Sequence, residues 1–132
     1  GMTDLPLPEI TSLNARYWGA LEGGELVFQA CGCGARWLPA RPECPNCLAA
    51  DGWSWSPSSG RGRLVSWVVY HAAYHPAFAD RVPYNVAIVE LEEGPRLITN
   101  IEAANESLRP DMPVRLAVAR ENGFAIARFR PR

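Results

Sequence analysis

The most regular pattern in the chain is an alternation of apolar and polar positions that runs through its second half. Five segments there are rich in β-branched and aromatic residues and have the lengths of strands. They are RLVSWVVYHAAY (63–74), YNVAIVEL (84–91), RLITNI (96–101), PVRLAVAR (113–120) and FAIARF (124–129). The turn EEGP joins the second segment to the third, and Asn122-Gly123 joins the fourth to the fifth. The pattern therefore predicts two hairpins and a first strand that is unusually long.

The connections between these strands indicate how the sheet is arranged. The third and fourth strands are separated by the polar segment AANESLRPDM (103–112), which has room for one helical turn. Five antiparallel strands with a long first strand and an insertion after the third are typical of an OB-fold barrel. We therefore predict a mainly β protein whose C-terminal domain, 63–132, is a five-stranded OB-fold barrel.

The N-terminal part of the chain has helical spacing instead. Apolar side chains recur there at steps of three and four residues, at Ile10, Leu13, Tyr17, Trp18 and Leu21. Gly23-Gly24 then provides a stop signal, so a short helix is predicted between Pro8 and Gly23. The segment ELVFQA (25–30) alternates briefly and predicts a strand that leads into the cysteines.

Composition and charge narrow the possible partners and locations. The chain of 132 residues is 48% apolar and 20% charged, with a formal net charge of −1. A nearly neutral chain has no overall attraction for polyanions, so nucleic acid is not the expected partner. No apolar run approaches the roughly 20 residues of a membrane span, and the first residues do not resemble a secretory signal. We expect a cytoplasmic protein with no membrane partner.

All four cysteines lie in one short stretch, FQACGCGARWLPARPECPNCLAA (28–50). Cytosolic thiols stay reduced, so a cluster of four favours a metal site over disulfides. Cys44-Pro-Asn-Cys47 has the spacing of a standard zinc knuckle, and the ten residues between Cys33 and Cys44 allow a hairpin return. The sequence therefore predicts a zinc ribbon in which Cys31, Cys33, Cys44 and Cys47 bind the metal.

The first cysteine pair departs from the usual spacing, because a single residue, Gly32, separates Cys31 from Cys33. Glycine is the residue that best accepts the tighter turn that this spacing requires. Three interpretations stay open. The site holds zinc through all four thiolates, it holds iron as rubredoxins do, or the shortened loop has lost the metal while the ribbon persists.

A segment rich in serine, glycine and proline follows the cysteines. This segment, DGWSWSPSSGRG (51–62), is predicted to be a hinge between two units. The predicted division of the chain is then an N-terminal extension and helix (1–27), a zinc ribbon (28–50), the hinge (51–62) and the OB-fold domain (63–132).

Several ordered motifs resemble the DUF35 family, over a span from about Tyr17 to Pro131. They are RYWGALEGGELVFQACGCGARWLPARPECPNC, WSPSSGRGRLVSWVVYHAAYHPAF, VPYNVAIVELEEGPRLITNI and a final ARFRP. The resemblance implies a rubredoxin-like zinc ribbon joined to an OB-fold. It also implies an accessory subunit, without catalytic activity of its own, that binds or helps position acyl-CoA for a thiolase-like or hydratase-like partner enzyme. In such a protein the helix and ribbon would help dock the partner, and the barrel would lie near the acyl-CoA.

An acyl-CoA site needs cations for the phosphates and an apolar slot for the pantetheine and acyl chain. The candidate cations are Arg61, Arg63 and Arg81, and the candidate slot residues are Tyr74, Phe78 and Tyr84. The alternative is that the glycines of SSGRGR only shape a turn with solvated arginines, and that the aromatic residues close a barrel end.

No catalytic machinery is visible in the sequence, which has neither a Gly-x-Ser-x-Gly elbow nor a P-loop. Thiols bound to a metal are not available as nucleophiles. An alternative function is single-stranded nucleic-acid binding, since ribbon and barrel modules occur in such proteins. The C-terminal stretch carries five arginines against Glu121, a basic bias that is open to four interpretations: contact with nucleic acid, with a CoA phosphate or with an acidic partner surface, or a solvated face. A third hypothesis is a rubredoxin-like electron carrier, which would be coloured.

Overall fold

The computed structural model describes residues 9–72 and 82–132. Within these residues the chain forms one α-helix and eight strands, which lie in two antiparallel sheets. In chain order the elements are α1 (Ala15–Glu22), β1 (Val27–Cys31), β2 (Arg36–Trp37), β3 (Trp53–Pro57), β4 (Arg61–Tyr70), β5 (Tyr84–Leu91), β6 (Arg96–Thr99), β7 (Pro113–Glu121) and β8 (Phe124–Pro131). Among the described residues, no helix is long and apolar enough to cross a membrane.

The smaller sheet has the order β2-β1-β3, and its strand β3 lies within the segment 51–62 that was predicted as a hinge. β3 pairs with β1 over five residues, and β4 already begins at Arg61, so only residues 58–60 join the two sheets. Trp53 and Trp55 alternate with serines and therefore share one face of β3. Their rings pack edge to face with centroids 6.1 Å apart, and the rings of Trp53 and Trp37 of β2 pack in the same way with centroids 6.4 Å apart. The domain boundaries proposed from the sequence otherwise stay a prediction.

The larger sheet has the order β6-β5-β4-β7-β8 and contains the five strands predicted for the second half of the chain. β5 has the predicted bounds, and its residues alternate between the buried interior and the outer face. The segment 103–112 contains a short 3-10 turn, Asn105–Ser107, where one helical turn was expected. The prediction of a mainly β protein with a short N-terminal helix and a five-stranded sheet is confirmed.

The two edge strands of this sheet come together, which makes it a partly open barrel. Ile101, just after β6, forms a parallel bridge with Phe129 of β8. The backbone N–H of Phe129 donates to the carbonyl of Asn100 at 3.2 Å, and the Oγ1 of Thr99 donates to the carbonyl of Ala127 at 3.0 Å. Contact between the third and fifth strands is the closure that the predicted OB-fold requires.

The helix is shorter than the sequence predicted and begins at Ala15. The backbone N–H of Thr11 donates to the Oδ1 of Asn14 at 2.7 Å, while the N–H of Asn14 donates to the Oγ1 of Thr11 at 3.3 Å. This reciprocal pair closes a turn before the helix, because short polar side chains compete with helical hydrogen bonds. Tyr17 and Trp18 pack against the barrel core, and burial raises the pKa of Tyr17 to about 12.

The N-terminal part and the barrel share one hydrophobic core. Its members come from α1, from the residue just before β1 and from the larger sheet, and they include Leu21, Leu26, Leu64, Val89, Val114 and Phe129. The small sheet that carries the cysteines is therefore anchored to the barrel core through Leu26, which directly precedes β1 and is 1% exposed.

Candidate functional site

The four cysteine sulfurs converge at the far end of the small sheet, where all four Sγ atoms lie within 4.8 Å of one another. The Sγ atoms of Cys31 and Cys47 are 3.6 Å apart, and so are those of Cys33 and Cys44. A zinc ion bound by four thiolates at about 2.3 Å holds its sulfurs about 3.8 Å apart. The 3.6 Å distance between paired sulfurs is too long for a disulfide bond. It is close to the sulfur–sulfur distance that a shared metal ion requires.

The first knuckle reaches this arrangement despite its single spacer residue. β1 ends at Cys31, whose backbone N–H donates to the carbonyl of Ala35 at 2.9 Å. The N–H of Gly34 donates to the carbonyl of Cys31 at 2.9 Å, and Gly34 has a φ of +99° that only glycine adopts without strain. The glycine after Cys33 therefore closes the loop, and the shortened spacing does not move the sulfurs apart.

The second knuckle has the regular form. The N–H of Leu48 donates to the carbonyl of Cys44, and the N–H of Cys44 donates to the carbonyl of Ala49, both at 2.9 Å. The backbone N–H groups of Asn46 and Cys47 both lie 3.4 Å from the Sγ of Cys44. N–H groups aimed at a sulfur stabilise its thiolate form, which is the form that binds a metal.

Hydrogen bonds favour the thiolate at two of the four cysteines. The backbone N–H of Ala35, followed by the side-chain amide of Asn46, lowers the pKa of Cys33 to about 6. Burial opposes ionisation of Cys44, but the N–H groups of Cys47 and Asn46 outweigh it and lower the pKa of that thiol. The thiols of Cys33 and Cys44 therefore ionise more readily than an ordinary cysteine, and the thiolate is the form that binds a metal.

The crowding of sulfurs has the opposite effect on Cys47. The backbone N–H of Ala49 favours its thiolate, but the neighbouring sulfurs of Cys31 and Cys44 outweigh this and raise the pKa of Cys47 to about 11. Several negative sulfurs within 5 Å repel one another unless a cation lies between them. The donor set, its spacing and its hydrogen bonds therefore fit a metal ion bound by Cys31, Cys33, Cys44 and Cys47.

Gln29, which the sequence did not single out, fastens the loop between the two knuckles. Its side chain is completely buried at the centre of β1, two residues before Cys31. Its Nε2 donates to the carbonyl of Arg41 at 2.8 Å, and its Oε1 accepts from the N–H of Arg41 at 2.7 Å. The available signal was a polar residue inside an otherwise apolar strand, since a buried amide needs partners.

We expect Gln29→Leu to weaken both folding and metal retention. The substitution keeps the side-chain volume but leaves the N–H and carbonyl of Arg41 without partners, which costs about 3 kcal/mol in unfolding free energy. Urea unfolding combined with metal competition by a chelator measures both effects. Thr99→Val is the matched control, because it removes one buried hydrogen bond in the barrel and should lower stability by about 1 kcal/mol without changing metal affinity. Equal metal affinity in Gln29→Leu and the native protein would contradict this role.

The structure separates the residues that the sequence proposed for acyl-CoA. Arg61 lies at the start of β4, whereas Tyr84 pairs with Tyr70 at the other end of that strand, roughly 30 Å away along it. Arg63 is held by two carboxylates, with its Nη2 at 2.7 Å from the Oε2 of Glu90 and its Nη1 paired with Asp111. Three further candidates, Tyr74, Phe78 and Arg81, lie outside the described residues. An acyl-CoA role for these six residues stays a prediction.

Most of the C-terminal arginines form ion pairs with carboxylates, and three of these carboxylates are distant in sequence. The pairs are Arg120 with Glu22 at 2.8 Å, Arg128 with Glu121, Arg130 with Glu102 at 3.3 Å, and Arg132 with Glu92 at 3.7 Å. The basic bias of the C-terminal stretch is therefore largely balanced by carboxylates in the folded chain.

Arg115 is the member of this group that has no such partner among the described residues. It lies directly opposite Arg61 in the register of β7 against β4. Both arginines line an open cleft with a volume of about 540 Å³, between the start of these strands and the 57–60 turn. Sequence analysis could not place Arg115 beside Arg61, because the two strands are not consecutive.

Comparison with known proteins identifies relatives over nearly the whole chain. A family model described as the ChsH2 C-terminal OB-fold domain matches residues 55–120. A chain of the solved Ltp2-ChsH2(DUF35) aldolase has 37% sequence identity and a TM-score of 0.82, over 95% of this chain and 98% of that one.

Two curated relatives differ in how much of their length is matched. A DUF35 domain-containing scaffold protein of Pyrococcus furiosus is 28% identical over 83% of this chain and 81% of its own length. A probable enoyl-CoA hydratase alpha subunit of Thermomonospora curvata is 40% identical over 83% of this chain. The match spans 34% of the length of that subunit, so its remaining two thirds have no counterpart here.

Proposed function

The chain belongs to the DUF35 family, and from this premise we propose that it is a non-catalytic accessory subunit of an acyl-CoA enzyme. Its role would be to bind or help position acyl-CoA for a thiolase-like or hydratase-like partner. The observation that carries the proposal is the similarity, over 95% of this chain and 98% of that one, to a chain of the Ltp2-ChsH2(DUF35) aldolase, whose name joins Ltp2 to a DUF35 protein in an aldolase. The scaffold protein and the hydratase alpha subunit among the relatives support the same role.

We propose zinc as the metal of the cysteine cluster. Four cysteine thiolates with tetrahedral spacing and no other ligand type form a closed site, which is typical of structural zinc. Such an ion would supply folding free energy to residues 31–52, which contribute only Trp37 and Cys44 to the buried apolar residues. Iron is the alternative, and a ferric site of this kind would colour the purified protein.

Reconstitution tests the accessory role. The chain is mixed with the thiolase-like or hydratase-like enzyme encoded beside it, and the mixture is examined by size-exclusion chromatography and by acyl-CoA turnover. We expect one complex, and we expect the chain to change the turnover of the enzyme while having no turnover alone. Separate elution with unchanged turnover would remove the proposal. The cytoplasmic location expected from the sequence stays a prediction.

The nucleic-acid alternative is tested with the same preparation. Single-stranded oligonucleotides are titrated at low salt, where phosphate contacts are strongest. We expect no binding that decreases with added salt, because the C-terminal arginines other than Arg115 are paired with carboxylates. Salt-dependent binding at micromolar concentration would favour the alternative.

A further inference from the structure

The cysteine cluster places each exposed sulfur beside a less exposed sulfur of the other knuckle. Cys33 and Cys47 are exposed, and of their neighbours Cys44 is completely buried. The Sγ of Cys47 lies 3.6 Å from that of the half-buried Cys31, 16 positions away in the chain. The Sγ of Cys33 lies 3.6 Å from that of Cys44, 11 positions away. Each exposed thiol therefore has one neighbouring thiol with which it can form a bond across the knuckles.

The geometry favours disulfides between the knuckles over disulfides within them. A disulfide joins its sulfurs at about 2.05 Å, so each 3.6 Å contact has to close by roughly 1.5 Å, which a change of side-chain torsions can supply. Within the first knuckle, Gly32 alone separates Cys31 from Cys33, and so small a ring distorts the disulfide. A bond between Cys44 and Cys47 would leave only that strained pair. Complete oxidation of the cluster therefore requires bonds between the knuckles.

Contacts that involve no sulfur also bring the two knuckles together. The side chain of Gln29 binds both backbone groups of Arg41, in the loop between the knuckles. The Nε1 of Trp53 donates to the carbonyl of Pro42 in the same loop at 2.9 Å. Gln29 and Trp53 both belong to the small sheet, so these bonds limit how far the loop can move from it. The sulfurs therefore meet often even while no ion links them, because the chain keeps their effective concentration high.

A metal ion and disulfide bonds compete for these sulfurs. A thiolate that is bound to a metal is not available as a nucleophile, and a sulfur in a disulfide is no longer a thiolate donor. All four cysteines of the chain lie in this cluster, so no other cysteine can replace a sulfur that is oxidised. The metal-bound and the oxidised cluster therefore exclude each other, although both link the same two knuckles.

We propose that the metal-free cluster is an oxidation site for hydrogen peroxide, which forms the two disulfides Cys31–Cys47 and Cys33–Cys44. At each pair the exposed thiolate attacks one peroxide oxygen, the O–O bond breaks, and hydroxide leaves. The neighbouring thiol then attacks the resulting sulfenic acid, which forms the S–S bond and releases water. Each pair of sulfurs loses two electrons, and these reduce one molecule of peroxide.

The two disulfides replace the link that the ion otherwise provides. Oxidation therefore prevents metal binding while the cysteine-bearing loops stay folded, and reduction by a small thiol restores the four donors. The occupancy of the metal site then follows the balance between peroxide and thiols around the protein. This property goes beyond the accessory role and does not depend on it, since it uses only the geometry of the cluster.

Oxidation of the intact chain by hydrogen peroxide tests the proposal. One portion of the purified protein is oxidised with a chelator present and another with excess zinc, and tandem mass spectrometry of unreduced peptides locates the disulfides. With chelator, we expect the free thiols to fall from four per chain to none, with both bonds between the knuckles. This oxidised chain should bind no zinc until dithiothreitol restores binding of about one ion per chain. Excess zinc should keep the thiols reduced.

Cys31→Ser tests the pairing of the exposed sulfurs. The substitution removes the neighbour of Cys47, so its sulfenic acid should persist and be labelled by a dimedone probe, whereas the native chain should show little labelling. The Cys33–Cys44 bond should still form in this variant. Ser54→Ala is the matched control, because it removes an exposed hydroxyl from the strand beside β1 and should oxidise as the native chain does.

Each other outcome contradicts a specific part of the proposal. Disulfides within a knuckle, disulfides between chains, or oxidation to sulfinic acid without disulfides would overturn the assigned pairing. Lower amide protection of residues 31–52 in the oxidised chain than in the zinc-bound chain would show that the disulfides do not replace the ion. Reconstitution with the partner enzyme needs no oxidant, so failure of this site and failure of the accessory role are distinguishable.

Discussion

Cys44→Ser is expected to abolish metal binding and to unfold the cysteine-bearing loops. Cys44 is completely buried and accepts N–H groups from Asn46 and Cys47 at its sulfur. Binding of structural zinc contributes on the order of 10 kcal/mol in zinc-finger peptides, so losing a ligand should lower the unfolding free energy by about 5 kcal/mol. Metal content should fall from about one ion per chain to near zero, as measured by mass spectrometry of the purified protein.

Amide hydrogen exchange shows where the loss is located. Residues 31–52 should lose protection in Cys44→Ser, while β7 and β8 keep theirs, because the shared hydrophobic core has no buried member within residues 31–52. Pro45→Ala is the control, since it changes the same loop without removing a ligand and should retain the metal. A native protein that contains no metal and is as stable as Cys44→Ser would show that the cysteine cluster does not hold an ion.

Gly62→Ala should destabilise the barrel severely. Gly62 is buried in β4, and a Cβ built there would lie 2.5 Å from the carbonyl oxygen of Glu90 and 2.9 Å from the Cγ1 of Val89. Glu90 belongs to the paired strand β5, so its backbone cannot move without breaking the ladder. We expect a loss of about 3 kcal/mol or more in unfolding free energy, and a fall of about 10 °C in Tm, measured by thermal unfolding.

The same chemical change at Gly19 should have the opposite effect. Gly19 lies in the exposed middle of α1, and a Cβ there would meet nothing within 4 Å. Alanine is a better helix former than glycine by about 1 kcal/mol, so Gly19→Ala should raise the unfolding free energy. If Gly62→Ala were as stable as the native chain, the close approach of β4 to β5 would be wrong.

The strands were predicted well because the alternation of apolar and polar residues that marks a strand is visible in consecutive residues. β5 keeps its predicted bounds, since every second side chain from Asn85 to Leu91 is buried. The start of α1 was misplaced because the side chains of Thr11 and Asn14 form a turn within an apolar spacing that looks helical. The hinge prediction overlooked β3 because its alternation lasts only five residues and is surrounded by serine, glycine and proline.

Features that depend on strand order could not be predicted. The sequence identified the four cysteines but not Gln29, whose partner Arg41 is twelve residues away. The proximity of Arg61 to Arg115 depends on the pairing of β4 with β7, which skips two strands. The same holds for the ion pair of Arg120 with Glu22, which joins the barrel to α1 across most of the chain. The local pattern of a sequence predicts individual helices and strands. Which charged side chains form ion pairs depends on how those elements are arranged in the fold.

The central claim is that this chain serves an acyl-CoA enzyme as a metal-stabilised accessory subunit. The most direct test is to purify the tagged chain from its native cytosol and to identify both the proteins and the metal in the same eluate. We predict a thiolase-like or hydratase-like enzyme in stoichiometric amount, together with about one zinc ion per chain. Recovery of the chain with nucleic acid, or without any protein partner, would contradict the claim.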